Sequence, residues 1–160
     1  MTQNDATAVN IVNDHHCFGC GRLNEHGLQL SFYANEDGNG VWTRFLPTDA
    51  FEGYGGIIHG GIVSTILDEV MAWSLYRQAT WAVTGQLTTR FRKPMRVGEA
   101  VRAIGRIVND RGRVIEMHGE IRRESDDVLL AEGTATFFRV PESQAEEWNE
   151  RYLGDPSQGR

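Results

Sequence analysis

Apolar and polar residues change their spacing several times along this chain, and each change predicts an element. From Gly27, "GLQLSFYAN" alternates Leu28, Leu30 and Phe32 with polar neighbours, the period of a strand with one buried face. "EDGNG" is a turn signal and "VWTRFLP" reads as the returning strand, so these two form a hairpin. "TDAFEGYGG" is rich in turn formers and reads as a loop. Then Ile62, Val63, Ile66, Leu67, Val70 and Met71 recur at helical spacing, which predicts one long helix fading near Gln78. Beyond it come four strand-like runs, "WAVTGQLTTRFRKP", "EAVRAIGRIVN", "RVIEMHGEIRRE" and "VLLAEGTATFFRV", broken at Pro94, Gly98 and Arg111-Gly112. Pro141 then opens a short charged helix, "PESQAEEWNERYL".

Strand runs interrupted by one long helix argue for an α+β domain, an antiparallel sheet packed on that helix. The 160 residues suffice for one core. The expected organisation is a flexible arm over 1–16, one domain over 17–140, and a short helix with a tail over 141–160. With 40% hydrophobic and 24% charged residues the composition is that of a soluble protein, and a cytoplasmic location is expected. A net charge of −6 without a basic block argues against nucleic acid. No apolar run approaches the roughly 20 residues of a membrane span, and the N-terminus lacks a signal-peptide pattern.

The candidate chemistry gathers in "HGGIVSTILDEV", His59 to Val70. A helix start has unpaired N–H groups and partial positive charge, which suit a developing oxyanion, and glycines at 60 and 61 permit close approach. The competing reading is that both glycines only allow tight packing. Asp68 and Glu69 point to different sides of the helix, about 100° apart. Asp68 falls in a row with Gly61, Ser64, Thr65, Ala72 and Leu75, mostly small residues where a substrate can reach. Glu69 lies nearer Ile62, Thr65, Ile66 and Trp73 and is expected in an interface ion pair. An ionised Asp68 can attack a carbonyl or deprotonate water; solvated surface acids are the alternative for both. Trp42, Trp73, Tyr76 and Trp81 fit either an aromatic pocket or the core. Cys17 and Cys20, in "HHCFGCGRLNEHG", offer two zinc ligands, with His15, His16 or His26 to complete a set. Without a second C-x-x-C, two partly buried thiols and no metal are expected.

The element order, "HGG" opening the helix, Asp68 nine residues after His59, and "AVTGQLTTRFRKPMRVGE" together resemble the hotdog-fold acyl-CoA thioesterases, the phenylacetate-pathway and 4-hydroxybenzoyl-CoA branch above all. The resemblance spans roughly residues 17–140. It implies a long central helix wrapped by a curved antiparallel sheet of about six strands, and a homodimer or homotetramer with active sites at the subunit interface. It implies hydrolysis of an acyl-CoA thioester, with the Gly60 N–H polarising the carbonyl and Asp68 as general base or nucleophile. Asp68 would then face the reacting carbon about two turns along, if need be from the opposite subunit. No cofactor beyond the coenzyme A of the substrate is implied. His59 and Gly61 shape the helix start, and Thr84 falls where relatives carry a hydroxyl orienting the water or the acid. Relatives carry an amide six residues before the histidine; Gly53 stands there, leaving Tyr54 or a backbone amide as the second donor. Arg90 and Arg92, on one strand face, suit the phosphates of coenzyme A. Two other readings share these residues: a hotdog hydratase or dehydratase using His59 with Asp68, and a non-catalytic acyl-CoA-binding protein.

Overall fold

The computed structural model describes residues 8–153, so part of the expected arm and tail, 1–7 and 154–160, lies outside the described residues. Strands β1 (Phe32–Ala34) and β2 (Val41–Phe45) form the first hairpin, and the loop after it carries two short strands, β3 (Glu52–Tyr54) and β4 (Ile57–Ile58). Helix α1 (Gly60–Tyr76) follows, then β5 (Ala82–Phe91), β6 (Val101–Asp110), β7 (Val114–Arg123), β8 (Leu129–Arg139) and helix α2 (Glu142–Trp148), which runs on as a wider turn to Leu153. Six strands pair antiparallel in the order β1-β2-β6-β7-β8-β5, and α1 packs against one face of that sheet. This is the expected α+β architecture of one long helix against about six antiparallel strands.

The apolar stripe of α1 forms the centre of the core. Val63, Ile66, Leu67, Val70, Met71 and Leu75 are buried against Phe32, Val101, Ile115, Met117, Ile121 and Phe137 of the sheet. Each such side chain contributes roughly 1.5–3 kcal/mol on burial. What lets the helix sit so low is a row of glycines. Gly105 on β6 pairs with Gly119 on β7, which pairs with Gly133 on β8. A Cβ at Gly105 would lie 2.3 Å from the Val70 carbonyl oxygen, and one at Gly119 or Gly133 would lie 3.3 Å from a Leu67 methyl. The three form a shallow trough in which α1 lies. Ser74 closes the contact, donating to the Val70 carbonyl at 2.7 Å and accepting from the Val41 N–H at 3.2 Å.

The structure differs from the sequence expectation in two places. The first strand is only three residues long, because Gln29 adopts φ 50° and breaks the extended run, although Leu28 and Leu30 remain buried. Residues 8–16, expected within a flexible arm, lie against the fold: the buried Asn10 amide donates to the Leu30 carbonyl and accepts from the Phe32 N–H, both at 2.9 Å. His15 is buried beside Tyr152, their ring centroids 5.1 Å apart.

Candidate active site

The start of α1 is held from behind by its own strand and loop. Ile58 donates to Met95 at 2.8 Å and His59 to Phe51 at 2.9 Å, fixing the entry of the chain into the helix. His59 is the N-cap: its Nδ1 accepts from the Gly61 N–H at 2.9 Å, satisfying one of the open donors of the first turn. Gly61 has no side chain for a local reason, since a Cβ there would lie 3.0 Å from that same Nδ1 and push the ring off its cap. Among the described residues the Gly60 N–H has no hydrogen-bond acceptor. The two glycines therefore have different jobs: the second admits the capping ring, and the first presents a free donor.

Gly60 lines a cavity of about 640 Å³, together with Tyr54, His59, Phe91, Arg92 and Met95 among others. Phe91 is 58% exposed, and its ring edge lies 3.3 Å from where a Gly60 Cβ would stand. Nothing local in the sequence signals this contact, because it depends on β5 ending beside the helix start. Gly53 and Tyr54 lie on the same wall, Tyr54 largely exposed, and a Cβ at Gly53, the position of the relatives' amide, would lie 3.2 Å from the His59 Cα.

Asp68 lies elsewhere, at the seam between α1 and the edge strand β5. The Thr84 hydroxyl donates to Asp68 Oδ1 at 2.7 Å. A register shift between Thr84 and Gln86 in the β5–β8 ladder marks a bulge at Gly85. A side chain at Gly85 would lie 2.1 Å from the Phe138 ring. Further along the seam Ser64 Oγ and Thr89 Oγ1 are 3.2 Å apart. Burial raises the Asp68 carboxyl above the usual aspartate range, the Thr84 hydrogen bond pulls it back, and the charge of Cys17 adds to the rise.

Eight residues of helix, at 1.5 Å each, separate Gly60 from Asp68 by about 12 Å along the axis. Within one chain the two groups cannot both touch one thioester carbon. The same rise keeps the His59 ring, already engaged with Gly61, away from Asp68.

Arg90 and Arg92 flank Glu132. Arg92 Nε donates to Glu132 Oε1 at 2.9 Å, and Arg90 shares a shallow pocket with Glu132 and His118 on the sheet face away from α1. Glu69 was expected in an ion pair, but among the described residues it meets thiols instead. Cys17 Sγ donates to Glu69 Oε1 at 3.6 Å. Helix geometry turns Glu69 away from Asp68 and toward the N-terminal loop, and burial lifts its carboxyl to about 8. Trp73, Tyr76 and Trp81 line a cavity there, while Trp42 stacks on Tyr33 with the Arg102 guanidinium over its ring.

A profile of the Thioesterase superfamily matches residues 55–130, from just before β4 to the start of β8. The acyl-coenzyme A thioesterase THEM4 of Xenopus laevis is 25% identical over 114 residues, 71% of this chain and 51% of that protein. The crystal structure of RHA08564, a thioesterase superfamily protein, superposes with a TM-score of 0.71 at 25% identity, covering 76% of this chain and 62% of that one. BH2602 of Bacillus halodurans, crystallised with CoA, superposes with a TM-score of 0.63 at 28% identity, covering 72% of this chain and 76% of that one. The chain spans between 51% and 65% of the length of the curated relatives it matches. No helix among the described residues is long and apolar enough to cross a membrane. The sheet order and the helix it carries are those of the hotdog fold, and the segment 55–130 is similar to the Thioesterase superfamily.

Proposed function

We propose that this protein hydrolyses an acyl-CoA thioester, with each active site built from two copies of the chain. The observation that carries this reading is the pairing of a free Gly60 N–H with a hydroxyl-bound Asp68 on one helix, about 12 Å apart. A second α1 running antiparallel to the first brings the Asp68 of one chain opposite the Gly60 of the other. Support for such an assembly comes from β5, a ten-residue strand at the sheet edge with Val83 (47%) and Phe91 (58%) exposed. Long open edges invite strand pairing, and the seam that holds Asp68 and Thr84 runs along this one.

In that arrangement the thioester carbonyl oxygen accepts from Gly60 N–H, at the positive end of the helix dipole. The Asp68 of the facing chain either takes a proton from water as the water adds to the carbon, or adds to it directly and is freed by water. In both routes the tetrahedral species collapses with loss of coenzyme A thiolate, giving the free acid in the first and, in the second, an acyl-aspartyl anhydride that water then cleaves. The 640 Å³ cavity beside Gly60 receives part of the substrate, with Tyr54 as a second donor. Arg90 and Arg92 stand at the strand end as partners for phosphates, Arg92 by exchanging its Glu132 contact. BH2602 was crystallised with CoA, which supports a CoA-thioester ligand here. The reaction requires no further cofactor.

The His59 geometry weighs against a hydratase or dehydratase, which needs a histidine and an acid on the same substrate carbons. Crotonyl-CoA discriminates the two: hydrolysis releases free thiol together with crotonic acid, whereas hydration removes the conjugated enoyl-thioester absorbance without thiol release. Thiol release is the expected result, and loss of absorbance alone would replace the hydrolase with the hydratase.

Thr84 is a positioning residue in this account. Its hydrogen bond favours ionised Asp68, so Thr84→Val raises the folded pKa of that carboxyl further. Activity that needs the carboxylate is lost as pH falls through its pKa, so the acid limb of kcat/KM moves up by about one pH unit. Thr84→Ser restores it. An unchanged acid limb in Thr84→Val would remove Thr84 from the mechanism.

A further inference from the structure

The structure assigns a second site, on a different flank of α1 from Asp68: we propose that Cys17, Cys20 and Glu69 bind one zinc(II) ion. The sequence expectation was two unmetallated thiols, because C-x-x-C alone supplies two ligands and the histidines around it were the natural candidates for the rest. The fold supplies a third ligand from 49 residues further along. The two Sγ atoms and a Glu69 carboxylate oxygen lie within 4.8 Å of one another.

Three features of the loop show a site shaped around that carboxylate. Cys17 Sγ and Glu69 Oε1 are 3.6 Å apart. With Zn–S near 2.3 Å and Zn–O near 2.1 Å, a tetrahedral edge between S and O is also about 3.6 Å. Gly19, between the two cysteines, stands where a Cβ would lie 2.2 Å from the Glu69 carboxyl carbon, so the loop curls directly over this group. The curl is held by backbone bonds, Gly21 N–H to Cys17 at 2.9 Å, Leu28 N–H to Phe18 at 2.8 Å and Leu30 N–H to Gly19 at 2.9 Å. Finally, Glu69 Oε2 is sealed from solvent with no hydrogen-bond partner, an arrangement that costs free energy unless something else satisfies it. A cation between the thiolates and the carboxylate does so.

His15 is on the wall of the same cavity but is a poor fourth ligand. Its Nδ1 accepts from the Cys17 N–H at 3.4 Å, which puts the ring proton of the neutral imidazole on Nε2. The protein thus offers three ligands and leaves a fourth position to water, within a cavity of about 250 Å³ walled by Trp73, Tyr76 and Trp81. Two soft thiolates and one carboxylate favour zinc over magnesium or calcium. The ion would tie the loop after residue 15 to the helix that carries Asp68, one residue from it.

The full chain, stripped with chelator and kept under reductant, is titrated with zinc against a chromophoric competitor and separately loaded with cobalt(II). One equivalent of zinc per chain and a thiolate-to-cobalt charge-transfer band are expected. Glu69→Gln, Cys17→Ser and Cys20→Ser each weaken zinc binding by at least about tenfold, while His15→Ala retains the wild-type affinity. Glu69→Gln keeps the thiols and the shape of the helix, so it remains informative if a cysteine variant fails to fold. A reduced chain with two free thiols that takes up no zinc would overturn the proposal, as would a cobalt complex without the thiolate band or wild-type zinc affinity in Glu69→Gln.

Discussion

Replacing Asp68 by asparagine is expected to lower kcat/KM for a hydrolysed acyl-CoA by about 10³-fold, close to 4 kcal/mol of transition-state stabilisation. The substitution keeps the size of the side chain and leaves Oδ1 able to accept from Thr84 Oγ1, now 2.7 Å away. What it removes is the charge, and with it both the proton acceptor and the nucleophile. Because Asp68 stands at the seam and not on the wall of the cavity beside Gly60, binding of coenzyme A persists in the variant. Thiol release gives the first quantity and calorimetric titration with coenzyme A the second. Undiminished hydrolysis by purified Asp68→Asn would remove this residue from the chemistry. Gly60→Pro is the matching probe of the other half-site. It deletes the N–H and adds a ring whose Cβ stands 3.3 Å from the exposed Phe91, which must give slightly; proline suits the first helical position, and His59, at φ −58° and ψ 133°, already has the backbone a following proline requires. A loss of about 10²-fold is expected, the usual effect of removing one oxyanion donor.

The second large effect concerns stability. Gly105→Ala places a methyl 2.3 Å from the Val70 carbonyl oxygen and 2.8 Å from Ser74 Oγ, where neither the helix backbone nor the buried hydroxyl has room to yield. Either α1 lifts from the sheet, losing contacts along its stripe, or β6 bends away. The expected cost is about 3 kcal/mol, the upper end for overpacking, a fall in Tm of roughly 10 °C for a chain of this size. Thermal unfolding followed by circular dichroism measures it. A Tm within a degree or two of wild type would mean that the trough is not what sets the depth of the helix.

That trough also marks where sequence reading ends. The stripe from Ile62 to Met71 predicts α1 because helical period is local, and the four long strands are legible for the same reason. Gly105, Gly119 and Gly133 are unremarkable in their separate strands; only the register of β6, β7 and β8 lines them up. The first strand is overestimated because alternation at Leu28 and Leu30 reports burial, which persists, and not backbone extension, which Gln29 interrupts. In the site, the resemblance put His59 at the helix start, where it caps Gly61, and family spacing chose Asp68 over Glu69, the row of small residues agreeing with that choice. The partner of Glu69 was not legible, since nothing local ties residue 69 to a loop at 17–20. The roughly 12 Å between Gly60 and Asp68 follows from helix rise alone, and it is the reason the proposed mechanism takes them from two different chains.

Mixing the two inactive chains tests that central claim most directly. Asp68→Asn and Gly60→Pro are unfolded together, refolded at equal amounts, and assayed for thiol release from an acyl-CoA that the wild type hydrolyses. If each site takes its N–H from one chain and its carboxylate from the other, a mixed pair contains one intact site, and the mixture regains activity well above either variant alone. Mixed pairs that form, as seen by native mass spectrometry, yet remain as inactive as the separate variants would contradict the account.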